Sequence, residues 1–189
     1  INSTGTIVAI GVYAYNSTRG TTRIYEWNGT AWTLKGSQID GLTSGERSGY
    51  AVSINGDGTV VAIGAYRNNS STGLTRIYEW NGTAWILKST ILGLTTGEES
   101  GWTVSLSDNG KTVAIGGSQY DVGVGSNSGI TRIYEIGDII GGEPEKLPVQ
   151  SYVNIVNDSG TNKYALNSNT TYVPAYGLEK GNYIFKNIP

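Results

Sequence analysis

Apolar residues in this chain come in short runs, each closed by a cluster of Gly, Asn, Asp, Ser or Thr. The stretch from Tyr50 carries the full pattern. Tyr50-Ala51-Val52-Ser53-Ile54 alternates and stops at Asn55-Gly56-Asp57-Gly58, residues that tolerate left-handed backbone. Thr59 to Tyr66 is a nearly continuous apolar run, the pattern of a strand buried on both faces. Arg67 to Gly73 is a polar loop, and Leu74 to Trp80 reads as a third strand. Asn81-Gly82 is a strong hairpin signal, and Ala84 to Ile91 reads as the fourth strand. A Gly/Thr/Glu-rich loop, Gly93 to Gly101, leads into the next first strand. No segment shows a 3.6-residue apolar period with helix caps, so the pattern predicts an all-β chain with four antiparallel strands per unit.

The pattern repeats. Thr22-Arg23-Ile24-Tyr25-Glu26-Trp27-Asn28-Gly29-Thr30-Ala31-Trp32 returns at Thr75 to Trp85, and Thr131-Arg132-Ile133-Tyr134-Glu135 opens a third copy that breaks off. Val-Ala-Ile-Gly occurs at Val8, Val61 and Val113. The spacing is 53 residues from Ala9 to Ala62 and 52 from Ala62 to Ala114, the period of a propeller blade or a similar four-stranded unit. One such unit cannot bury its own faces, so the units must stack. Ile1-Asn2-Ser3-Thr4-Gly5 aligns with Ile54 to Gly58, which places the start of the sequence inside a repeat and any targeting signal upstream.

A two-residue Asn28-Gly29 turn would pair Tyr25 with Trp32, with Asn28 and Asn81 supplying the positive φ of a type I′ turn. Arg23, Tyr25, Trp27 and Trp32 then share one face, as do Arg76, Tyr78, Trp80 and Trp85. These aromatics are either a platform for sugar rings, aided by arginine, or core between units. Repetition in every unit favours core.

Composition narrows the function. Net charge is −2 with 15% charged residues and no basic stripe, which argues against a nucleic-acid partner. No apolar run reaches about 18 residues, so no membrane span is expected. Cys, His and Met are absent, which removes disulfides, thiolate nucleophiles, His-assisted catalysis and the usual zinc or copper ligands. The 28 glycines, 13 tyrosines and many Asn, Ser and Thr suit an extracellular β-rich surface.

The Ser-Gly-Tyr-Ala-Val-Ser … Asp-Gly … Val-Ala-Ile-Gly-Ala … Thr-Arg-Ile-Tyr-Glu-Trp … Trp pattern resembles FG-GAP-like repeats of large β-propeller surface proteins, over Ile1 to Ile136. The resemblance implies propeller-type units, two to three here, and in some repeats a calcium loop. The matching loops, Ser53 to Gly58 and Ser105 to Gly110, each hold one Asp, whereas calcium wants about six to eight oxygens with several carboxylates. A tight turn is the better reading, and no cofactor is expected. Asp108-Asn109-Gly110-Lys111-Thr112 is similar to a sialidase Asp-box, but Val113 stands where tryptophan is usual.

After Glu135 the pattern fails: Ile136 replaces the tryptophan, and residues 137–150 hold three glycines and two prolines, a linker composition. Residues 151–189 read as a partial β module, sandwich-like, with short strands at Tyr152–Val156, Lys163–Leu166, Thr171–Val173 and Tyr183–Phe185. Its Asn162 to Asn167 and Gly177 to Phe185 stretches resemble the opening of cupredoxin-like modules, without copper ligands.

Glu46, Glu98 and Glu99 lie in loops between units, and Glu26, Glu79 and Glu135 at equivalent strand positions. A glycosidase needs one unique carboxylate pair about 5 to 9.5 Å apart. Acids displaced by a unit rotation do not form one, so no enzyme activity is expected. Sequons occur at eight asparagines, of which Asn16, Asn28, Asn69, Asn81 and Asn169 are candidate glycosylation sites. The expected role is a non-catalytic extracellular, cell-surface or virion-surface structural or adhesion protein. Its partners would be proteins, glycans, or other copies or parts of the same polypeptide. The alternative is a carbohydrate-binding repeat region of a larger secreted enzyme or adhesin. Variable loop length points to the Gln119 to Gly129 loop as the specialised rim.

Overall fold

The computed structural model describes residues 1–119 and 129–137, and the backbone of two further strands at 151–158 and 161–167. It is an all-β arrangement of three antiparallel sheets. The first holds β1 (Ile7–Val12), β2 (Thr21–Trp27), β3 (Trp32–Leu34) and β4 (Ile39–Asp40), with β3 and β4 sharing the length of β2. The second is a four-stranded meander of β5 (Ala51–Ile54), β6 (Val60–Gly64), β7 (Leu74–Trp80) and β8 (Trp85–Leu92). The third contains β9 (Ser100–Leu106), β10 (Thr112–Gly117) and β11 (Ile130–Glu135), extended by β12 (Ser151–Asp158) and β13 (Thr161–Asn167). Among the described residues no sheet closes on itself.

The strand residues at 151–158 and 161–167 form a hairpin, and β12 pairs with β11 through Thr131↔Val153 and Ile133↔Ser151. Residues 138–150 of the linker expected at 137–150, and the segment from 168 onward, lie outside the described residues.

Alternation gives each sheet two working faces. Ile24 and Ile39 of the first sheet meet Ile63, Tyr78 and Trp85 of the second in one apolar layer. Ile77 and Ile91 of the second sheet meet Val113, Ile115, Tyr134 and Ile136 of the third in another. Each fully buried isoleucine in these layers contributes about 1.5–3 kcal/mol. A sheet therefore uses its Thr-Ile-Glu face toward the next sheet and its Arg-Tyr-Trp face toward the preceding one.

The repeated glycines make this stacking close. A Cβ on Gly11 would overlap the carbonyl of Gly49, and one on Gly64 the carbonyl of Gly101. The glycine of Val-Ala-Ile-Gly thus meets the Ser-Gly backbone that opens the next sheet.

The hairpin register differs from expectation. Trp27 pairs with Trp32 and Tyr25 with Leu34, and the second sheet repeats this as Trp80↔Trp85. The turn centres on Gly29-Thr30, one residue later than an Asn-Gly turn would. Asn28 Oδ1 accepts from the N–H of Thr30 and of Ala31 at 3.0 and 2.9 Å, replacing the backbone acceptor. Positive φ falls on Gly29 and Gly82, not on Asn28 or Asn81. The side-chain parity survives, so the two tryptophans still share a face.

Candidate functional site

The loop glutamates enter the sheet junctions. Glu46 accepts two hydrogen bonds from the Arg76 guanidinium, at 2.7 and 3.0 Å, and further bonds from the Leu42 N–H, the Thr43 hydroxyl and Asn68. Burial acts to raise the Glu46 pKa, but the bonds and charge of Arg76, with those of Leu42 and Thr43, outweigh it and hold the carboxyl below its ordinary value. The next junction repeats the device: Arg132 makes a bidentate pair with Glu98, which also accepts from the Leu94 N–H. Both pairs are buried. Exposed glutamates form a second ladder, Glu26 with Lys35 and Glu79 with Lys88. These carboxylates are engaged with cations at repeated positions.

The aromatic faces have unequal fates. Trp85 is 9% exposed and donates its indole N–H to the Lys35 carbonyl at 2.8 Å, and Lys35 Nζ lies 5.0 Å from the Trp80 ring. Gly36 makes room, since a Cβ there would lie 2.6 Å from that ring. Tyr78 is also buried, and burial raises its pKa. Trp27 and Trp32, with the same local sequence, are 41% and 43% exposed and touch each other at 5.7 Å. Tyr25 beside them is half-buried.

A second aromatic cluster joins all three sheets at one end of the stack. Tyr50 and Trp102 stand at equivalent positions after Ser-Gly, and Tyr13 and Tyr66 after Val-Ala-Ile-Gly. Tyr50 lies 5.4 Å from Tyr13, 4.5 Å from Tyr66 and 4.9 Å from Trp102. Tyr66 is fully buried beneath, Tyr13 is exposed, and Tyr50 and Trp102 are half-buried. Arg47 lies over Tyr13 and Tyr66 and donates to the Tyr66 hydroxyl. Arg67 lies over Tyr66, 3.7 Å from the buried carboxylate of Glu99, which accepts from the Ser118 hydroxyl.

The backbone at this rim is strained. Arg47 and Glu99 have φ of 56° and 57°, and two short left-handed turns, Tyr15–Thr18 and Asn68–Ser71, flank them. The turns receive the junctions directly: Arg47 N–H donates to Thr18 O and Glu99 N–H to Ser71 O. All eight non-glycine residues with positive φ among the described residues belong to these turns and junctions. Each costs on the order of 1–3 kcal/mol, and such residues gather at functional sites. The sequence signal for this cluster is the recurrence of aromatics directly after Ser-Gly, at Tyr50 and Trp102, and two residues after Val-Ala-Ile-Gly, at Tyr13 and Tyr66.

Asn16 and Asn69 are exposed on these left-handed turns, while Asn28 and Asn81 sit in the hairpin loops. Asn169 and most of the Gln119 to Gly129 loop lie outside the described residues. The loops considered for calcium are turns held by their own side chains: Asn55 Oδ1 accepts from Thr59 and Val60 N–H at 2.9 and 2.8 Å, as Asn2 does from Thr6 and Ile7. Among the described residues no three acidic side chains gather, and no helix is long and apolar enough to cross a membrane. Compared with known proteins, the chain matches no family model and no curated sequence.

Proposed function

We propose that the chain is a non-catalytic repeat scaffold of β-propeller type, working on a cell or virion exterior and holding its partner at the aromatic rim. The observation that carries this reading is the Tyr13–Tyr50–Trp102 row, drawn from three sheets and left partly open above buried Tyr66. Glu46, Glu79 and Glu98 are meanwhile engaged with cations, which fits cohesion of the scaffold better than acid–base chemistry.

Planar aromatic faces beside Arg47 suit a glycan, which stacks its apolar C–H face and offers hydroxyls to the guanidinium. The test is binding of the full chain to a glycan array and to immobilised surface proteins, with Tyr50→Ala and Trp102→Ala variants. Loss of glycan binding in both variants, with the fold retained, supports the reading. Glycan binding that survives both substitutions rejects the rim as the site, and glycoside turnover by the wild-type chain rejects the non-catalytic role.

A further inference from the structure

The first sheet presents a face that its two neighbours keep covered. Val61, Ile63 and Tyr78 of the second sheet are buried, as are Val113, Ile115 and Tyr134 of the third. At the equivalent positions of the first sheet, Ile10 is 47% exposed and Val8 and Tyr25 are only half-buried, and Trp32, the counterpart of buried Trp85, stands open with Trp27 and Leu34 beside it. The edge is open too. β6 lies between β5 and β7, and β10 between β9 and β11, whereas β1 pairs only with β2 among the described residues. The charge is also unmatched. Arg76 and Arg132 each hold a junction glutamate, but Arg23 bonds only to Gln38 at 3.1 Å and approaches the Tyr15 ring, with no carboxylate partner among the described residues.

We propose that this face and the β1 edge form a docking site for one further repeat unit of the same type as the first sheet. The existing junction specifies what that unit must bring. A strand like β5 would run into Ile1, the counterpart of Ile54, and lie antiparallel on β1, placing a serine against Ala9 as Ser53 lies against Ala62. A Lys-Gly corner like Lys35-Gly36 would set its ammonium over Trp27 and its carbonyl against the Trp32 indole, as occurs at Trp80 and Trp85. A junction glutamate like Glu46 would neutralise Arg23. This inference rests on the geometry between sheets and not on glycan binding at the rim.

The test is the full chain with a second copy of residues 1–53 joined ahead of Ile1, the added copy carrying Trp27→Phe and Trp32→Phe. Hydroxyl-radical labelling read by mass spectrometry then reports on the parent Trp27 and Trp32 alone. Their labelling is expected to fall several-fold, to the level of Trp80 and Trp85, and to rise again when the added copy carries Glu46→Gln and Lys35→Ser. Unchanged labelling overturns the proposal. So does protection that ignores the Glu46→Gln and Lys35→Ser substitutions, which would mean unspecific cover. Protection that appears in the unextended chain as its concentration rises overturns it in favour of a second copy.

Discussion

Glu46 and Arg76 join two sheets by a buried bidentate ion pair, 30 residues apart in the chain. Neither charge has water to fall back on, so each depends on the other. Glu46→Ala leaves the Arg76 guanidinium buried without its counter-charge and is expected to cost about 3–5 kcal/mol. Replacing both residues by Leu and Met should recover a large part of that loss. Urea unfolding of the single and double variants measures both, and equal losses in the two would show that the pair's charge is not what matters.

The same pair gives the chain an acid limit. The folded pKa of Glu46 is lowered, so its contribution is complete above the ordinary value of 4.5 and is lost as pH falls through the folded value. Wild-type stability should therefore drop as pH falls below 4.5 more steeply than that of Glu46→Gln, which has no carboxyl to titrate there. Denaturant midpoints across that range decide the matter; parallel slopes would contradict it.

Trp32 and Trp85 close the same phrase but stand in different surroundings. Trp85→Ala removes a packed ring and its bond to the Lys35 carbonyl and is expected to cost about 3–5 kcal/mol. Trp32→Ala removes a ring already 43% exposed and should cost under about 1 kcal/mol. Thermal unfolding of the two variants gives the comparison directly.

Gly64 lies against the Gly101 backbone with no room for a methyl group. Gly64→Ala must push the second and third sheets apart or bend β6, at about 1–3 kcal/mol. A variant as stable as the parent would mean that the sheets do not approach at this point.

The strand pattern was legible because it is local. β7 spans Leu74–Trp80 as the apolar alternation indicates, and the all-β class and the 53-residue repeat follow from periodicity alone. The hairpin register was not, because Asn28 uses its side chain as the acceptor and moves the turn by one residue. Glu46 and Glu98 read as loop acids, since nothing within a few residues names an arginine 30 or 34 positions away as the partner. Identical phrases around Trp32 and Trp85 carry no information about their different burial, which depends on whether another sheet lies over them. The Tyr13, Tyr50, Tyr66 and Trp102 cluster likewise exists only once three sheets are stacked. Local sequence determined which residues form strands and which way they face, because backbone sterics and alternation act over a few residues. Only the tertiary structure decided which faces are core and which are open, because burial is a property of what packs against a surface.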